Sequence, residues 1–365
     1  MTEPDYQARA AAGIRALQRW YVRRTGVWET TGWWQAANAL SAVIQYTRHT
    51  GDRHHARVIA HTLRRAPRAH PNFINRFFDD SGWWGLAWVD AYDLTGESRY
   101  LDAARTIFAH NQTGWDGTCG GGVWWSTDRT YKNAVTNELF LTLAALLHQR
   151  TPGDQQYLSW ALRDWEWLTA RALVGPSGLI NDGLTRDCVN NGGPTWTYNQ
   201  GVVLGGLAAL YDITGDRDYL KHGEFIADAA LSELTSPQGI LTELCEPARC
   251  NSDQSQFKGI FARHLHEFYL RSDKPAYRRF LLANADSVWD NARNSADQFG
   301  LRWSGPFDVA DASRQSSAVQ VLIAAAALTA QPHQSRRAAA GVAAAGVRRF
   351  TFGRGSDGGI RRAHR

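Results

Sequence analysis

The sequence predicts an all-α protein, a closed (α/α)6 toroid of six helical hairpins. Three observations predict it. A short turn phrase recurs along the chain. Apolar and more polar helical patterns alternate on either side of it. The connections between helices are short in one direction and long in the other. The phrase reads Thr50-Gly51-Asp52-Arg53, Thr95-Gly96-Glu97-Ser98, Pro152-Gly153-Asp154-Gln155 and Thr214-Gly215-Asp216-Arg217, with a degenerate copy at Ser272-Asp273-Lys274-Pro275. Glycine suits the left-handed residue that ends one helix, and a carboxylate suits the start of the next. Successive copies lie 45 to 62 residues apart, the length of a helical hairpin plus one long loop.

The elements follow in order. The apolar members form an inner ring near Trp34–His49, Gly82–Leu94, Asn133–Gln149, Asn199–Ile213, Phe257–Leu270 and Gln315–Leu328. The more polar members form an outer ring near Tyr6–Arg24, Asp52–Arg65, Ser98–His110, Asp154–Ala172, Asp216–Leu231 and Ala276–Asn291. The outer-to-inner loops are Ala66–Ser81, Asn111–Lys132, Leu173–Tyr198, Thr235–Gln256 and Ala292–Arg314. Loops above about 12–15 residues in a compact domain usually carry function, and all of these open at the end where the inner helices begin. Residues 1–330 therefore read as one ring domain. Residues 331–365 read as a basic tail, with one further helix possible over Arg336–Val347.

Charge is unevenly placed. The net charge is +5, but eight of the 40 Lys and Arg and one of the 35 Asp and Glu fall after Ala330. The tail thus carries +7 and the body −2, with 32 basic and 34 acidic residues. That balance gives the body no case for nucleic acid. The densest apolar run, Val319–Leu328, is too short to span a membrane, and no signal-peptide pattern precedes the first helix. The expected location is the cytoplasm, with secretion as the alternative, and the expected state is a monomer. Four cysteines, Cys119, Cys188, Cys245 and Cys250, lie in loops without metal-ligand spacing. Cys245 and Cys250 could close a small disulfide loop, which would favour an oxidising compartment.

The most informative stretch is Phe77-Phe78-Asp79-Asp80-Ser81-Gly82-Trp83-Trp84-Gly85-Leu86-Ala87-Trp88-Val89. Two adjacent carboxylates stand where a loop meets an apolar helix. Asp80 or Ser81 could serve only as a helix cap. Other junctions share the same chemistry, however. Aromatics adjoin amides or charges at Trp33-Trp34-Gln35-Ala36-Ala37-Asn38, at Trp124-Trp125 with Lys132-Asn133 and Asn137-Glu138, at Asn181-Asp182 with Trp196-Thr197-Tyr198-Asn199-Gln200, and at Asp253 through Arg263. Sugars offer hydroxyl edges and C–H faces, which such mixtures fit. Paired carboxylates are also what glycoside cleavage needs. The candidate binding residues are Trp34, Asn38, Trp84, Trp125, Asn133, Asn137, Asp182, Tyr198, Asn199, Gln200, Lys258 and Arg263, around Asp79 and Asp80. Glu138 reads as structural, paired with Lys258 or Arg263. His264 and His266 read as satisfied helix histidines.

The junction phrases resemble family 76 of the glycoside hydrolases, the α-1,6-mannanases, across roughly residues 20 to 330. The marks are Asp79-Asp80 before Gly82-Trp83-Trp84, Gly121-Gly122-Val123-Trp124-Trp125, Lys132-Asn133-Ala134, Tyr198-Asn199-Gln200-Gly201 and Phe257-Lys258-Gly259. The resemblance implies retaining hydrolysis of an α-1,6-mannan without a cofactor, with Asp79 as nucleophile and Asp80 as acid/base. Asp80, nearer Trp83 and Trp84, is expected to keep the proton. Three alternatives share the fold: a sugar epimerase, which would want histidine bases at the mouth; an unsaturated-uronide hydrolase, which would want arginines such as Arg263 or Arg314; and a non-catalytic glycan-binding scaffold.

Overall fold

A computed structural model describes residues 4–330, and the basic tail lies outside the described residues. The inner ring consists of α2 (Trp33–Thr50), α4 (Phe78–Thr95), α6 (Ala134–Gln149), α8 (Thr197–Thr214), α10 (Phe257–Ser272) and α12 (Ala312–Thr329). Each packs on the next, and α12 packs on α2, so the ring closes. The outer helices are α1 (Tyr6–Leu17), α3 (Arg57–Arg65), α5 (Ser98–Gln112), α7 (Gln156–Ala170), α9 (Asp218–Glu233) and α11 (Pro275–Asn291). The first outer helix, α1, pairs chiefly with the last inner one, α12.

The two rings differ as their sequences do. Inner α8 buries every residue from Thr197 to Leu210, as a helix apolar on all sides must. Outer α3 buries only Val58, Ile59 and Thr62, one narrow stripe. Glycine lets the inner helices approach. A Cβ on Gly201 would sit 2.6 Å from the Phe261 backbone of α10, and one on Gly259 would sit 2.4 Å from the Ser317 backbone of α12.

The turn phrase has a physical basis in the atoms it brings together. Gly51, Gly96 and Gly215 take left-handed φ of 75°, 72° and 73°, and their N–H groups bond the carbonyls of Thr47, Tyr92 and Tyr211. Each preceding threonine hydroxyl donates back to its own helix and accepts the N–H of the carboxylate residue after the glycine, as in Thr50 with Asp52 at 3.2 Å and Thr214 with Asp216 at 3.1 Å. Asp273, in the degenerate copy, supplies the left-handed residue itself.

Three boundaries differ from the sequence reading. The first outer helix stops at Leu17 rather than Arg24. A 3-10 turn (Gln18–Trp20) and a two-stranded hairpin pairing Tyr21 with Trp28 follow, and the hairpin buries Trp28 against the Tyr21 ring. The second outer helix begins at Arg57, not Asp52. Most important for the site, α4 begins at Phe78 rather than Gly82. Asp79 and Asp80 therefore stand in the first turn of a helix, where carboxylates complement the helix dipole.

The long loops are held from inside. Asn137 on α6 clamps Val123, accepting its N–H at 2.6 Å and donating to its carbonyl at 3.1 Å. Gln200 on α8 does the same for Ile180, at 2.8 and 2.9 Å. Gln315 on α12 accepts the Phe299 N–H at 2.9 Å. Two disulfides add to this: Cys119–Cys188 ties the loop after α5 to the loop after α7, and Cys245–Cys250 closes a small loop before α10. No helix among the described residues is long and apolar enough to cross a membrane.

Candidate active site

The loop ends of the inner helices surround a cavity of about 530 Å³. Its lining divides into aromatic planes and polar groups. Trp34, Phe77, Trp83, Trp125, Tyr131, Trp196, Tyr198 and Phe257 supply the planes. Asp79, Asp80, Asn133, Asp182, Asn251, Asp253 and Gln254 supply the polar groups. Four carboxylates thus face the space, and no Lys, Arg or His does among the described residues.

Local backbone pairing puts the wall in place. Trp125 accepts the Phe78 N–H at its carbonyl, 2.9 Å away, and donates its own N–H to Tyr131 at 2.8 Å. The Trp125 ring therefore hangs beside the first turn of α4, tilted against Phe77 at 4.8 Å. Its indole N–H donates to Asp79 Oδ2 at 3.1 Å. Asp79 Oδ1 accepts the Asp80 backbone N–H at 3.0 Å. Among the described residues Asp80 has one side-chain donor, Asn75 Nδ2, on Oδ2 at 2.6 Å, and its Oδ1 has none. Across the cavity Tyr198 stacks flat on Phe257, with centroids 3.9 Å apart, and Trp34 stacks on Trp83 at 5.6 Å. Asp182 accepts the Tyr131 hydroxyl at 2.5 Å, while its carbonyl takes the Ala134 N–H at the start of α6.

The electrostatics follow from this enclosure. Loss of hydration pushes the Asp79 carboxyl well above the usual carboxylate range, and the Asp80 charge pushes it further against the two N–H donors. Loss of hydration also raises Asp80, to about 6; the Asn75 donor opposes this and the Asp253 charge adds to it. Each charge opposes the other, because two adjacent anions cannot both form freely in a dehydrated site. The sequence reading expected Trp83 and Trp84 to keep the proton on Asp80, and Trp83 does line the cavity with it. Trp84 lies in the core among Trp33, Phe73 and Trp88, and lost hydration raises both carboxyls.

Of the residues expected to bind substrate, Trp34, Trp125, Asn133, Asp182 and Tyr198 line the cavity with Asp79 and Asp80. The others do not. Asn137 and Gln200 are the loop clamps. Trp84 is fully buried. Asn38 is buried, accepting from Arg263 at 3.1 Å, and Arg263 is thereby spent inside the ring. Lys258 donates to Glu246 at 2.5 Å and lies under the Trp303 ring. Asn199 is fully buried beneath the floor, with neither end of its amide hydrogen-bonded to a described residue. Glu138 pairs with neither Lys258 nor Arg263, which are engaged elsewhere. Its two oxygens have no partner among the described residues, and burial raises its carboxyl well above the usual range.

Phe77, Trp83, Tyr131, Trp196, Asn251, Asp253, Gln254 and Phe257 line the cavity although the sequence reading did not place them among the site residues. Most stand in the same junction phrases. Asp253 had a usable signal, a carboxylate just before an inner helix, as at Asp79. His264 bonds Glu267 at 2.9 Å, and burial lowers His266 to about 4, so both are helix histidines remote from the cavity.

A family model described as Glycosyl hydrolase family 76 matches residues 7–337, almost the whole ring. The chain belongs to that family. It is 32% identical over 258 residues to the mannan endo-1,6-alpha-mannosidase DCW1 of Saccharomyces cerevisiae, covering 64% of this chain and 57% of that protein. It is 27% identical over 302 residues to the DCW1 of Candida albicans, covering 74% and 67%. This chain thus spans about two thirds or less of the length of those yeast relatives. Among solved structures it resembles the alpha-1,6-mannanase of Salegentibacter sp. HEL1_6, with 27% identity, a TM-score of 0.82, and coverage of 89% of this chain and 100% of that one. That structure is an inactive variant in which two consecutive aspartates are replaced by asparagine, in complex with alpha-1,6-mannotriose. The all-α toroid expected from the sequence is the fold of this family member.

Proposed function

We propose that this glycoside hydrolase cleaves α-1,6-linked mannosides with retention of configuration at the Asp79–Asp80 pair. The observation that carries the reading is the unequal bonding of the two carboxylates on the floor of an aromatic, cation-free cavity. Asp79 has an N–H donor on each oxygen, and both bonds oppose the upward push of burial and favour the anion that attacks the anomeric carbon. Asp80 has one oxygen bonded and the other free to carry the proton given to the departing glycosidic oxygen. Water activated by the Asp80 carboxylate then releases the glycosyl enzyme. The flat Tyr198–Phe257 stack and the Trp34–Trp83 stack offer faces for neighbouring sugar rings. The inactive double variant of the Salegentibacter enzyme, with its bound mannotriose, supports both the aspartate pair and the substrate class.

The alternatives lose their residues. Among the described residues no histidine lines the cavity to serve an epimerase. No arginine lines it to bind a uronate: Arg263 is buried with Asn38, and Arg314 pairs with Asp311 elsewhere. The two disulfides favour an oxidising compartment, so we infer a location outside the cytoplasm. The test is to incubate the protein with α-1,6-mannan and α-1,6-manno-oligosaccharides and to follow the first-formed anomer by proton NMR. An α product supports the reading. A β product defeats retention, and intact polymer defeats the substrate class.

A further inference from the structure

The cavity contains a fourth carboxylate whose setting differs from the other three. Asp253 lies in the loop before α10, and in the closed order of inner helices α10 stands opposite α4. Asp253 reaches from that loop to the start of α2, the ring neighbour of α4, and lines the same cavity as Asp79 and Asp80. Its Oδ1 accepts two donors, the Trp34 indole N–H at 2.9 Å and Gln35 Nε2 at 2.8 Å. Its Oδ2 has no hydrogen-bond partner among the described residues. Trp34 is the outer plate of the stack on Trp83, so the same bond that fixes Asp253 fixes the angle of that aromatic plate.

Resting on the mannosidase reading above, we propose that Asp253 is a positioning residue that orients the Trp34 plate toward the sugar and, by its charge, disfavours the anion at Asp80. The electrostatic half has few competitors. The titratable groups lining the cavity are Asp79, Asp80, Asp182, Asp253, Tyr131 and Tyr198, and no cation is among them. On the segment leading into α4, Arg76 is exposed and pairs with Asp128, while Asn75 and Phe77 are uncharged. In a cavity without a counter-ion, an added anion disfavours a second one nearby. The Asp253 charge is a contributor to the upward push on Asp80.

Two variants separate the halves. Asp253→Asn retains a carbonyl oxygen for both donors and removes the charge. The alkaline limb of its kcat/KM profile on an α-1,6-manno-oligosaccharide is expected to fall by about half a pH unit, with KM changed less than about threefold. Carbon-13 carboxyl NMR of the substrate-free protein should show the Asp80 titration falling by the same amount. Asp253→Ala also frees Trp34 and Gln35, and its KM should rise about tenfold above that of the Asn variant. A pair that titrates identically in wild type and Asp253→Asn overturns the electrostatic role. Equal KM in the two variants overturns the orienting role. The NMR titration needs no turnover, so it still decides the electrostatic role if the protein proves inactive on mannosides.

Discussion

Two sets of acids in this molecule are raised by the same force and differ in what they can reach. Asp79 and Asp80 stand in the first turn of α4, stripped of much of their water yet lining the cavity. Glu138 on α6 and Asp164 on α7 are wholly enclosed, and burial raises both well above the usual carboxylate range. By proton affinity alone the enclosed acids are as perturbed as the open pair. Access separates them: an enclosed acid can neither touch an anomeric carbon nor exchange a proton with a leaving oxygen. A raised carboxyl indicates a functional site only together with a cavity that delivers substrate to it.

The comparison can be broken most forcefully at Asp79. Asp79→Asn should lower kcat by about 10³-fold or more, even on a substrate with an activated leaving group, because no nucleophile remains. A near-normal rate in that variant would remove the open pair from the chemistry. Asp80→Asn should lose a similar factor on mannan, yet form the glycosyl enzyme from an activated aryl mannoside and stall there. Added azide should restore its turnover, with a mannosyl azide seen by mass spectrometry.

Trp125→Phe sharpens the comparison at smaller scale. It retains the ring beside Phe77 and deletes the N–H donated to Asp79. That donor lowers the Asp79 proton affinity, so its loss raises it, and the acid limb of kcat/KM should move to higher pH with kcat down about 3- to 10-fold. An unmoved limb would mean that the bond does not tune the nucleophile.

The smallest effect on activity is expected from the enclosed acid. Glu138→Gln should leave kcat within about twofold and change stability instead. The folded-state proton affinity of Glu138 is raised, so its stabilising contribution is complete below the unfolded pKa near 4.5 and is lost as pH rises above it. Wild type should therefore lose stability relative to Glu138→Gln by up to about 1.4 kcal/mol per pH unit over that window, measured by urea unfolding. Equal pH slopes would show that Glu138 has found a partner; a large loss of kcat would erase the distinction between open and enclosed acids.

Much of the ring was determined locally. A Thr-Gly-Asp phrase ends one helix and starts the next through bonds among residues only a few positions apart, so it can be read without knowing the neighbours. Alternation of all-round apolar and one-sided helices likewise follows from each segment's own pattern, and closure follows from having six of each. The aspartate pair was legible for the same reason, since its carboxylates are adjacent in the chain.

What the tertiary structure decided was direction and partnership. Asn137 and Gln200 look like ligands in the sequence, sitting beside aromatics at helix starts, but in the ring they clamp the backbone of loops that fold over them. Lys258 looks like a cation for the cavity until Glu246, brought in by the Cys245–Cys250 loop, takes it. Trp84 turns into the core while Trp83, one position away, turns to the sugar side, because one residue rotates a helical side chain by about 100°. Asp253 meets Trp34 across 219 positions, and Cys119 meets Cys188 across 69. Those meetings depend on how six hairpins close, and a side chain's environment is a property of that closure rather than of its neighbours in the chain.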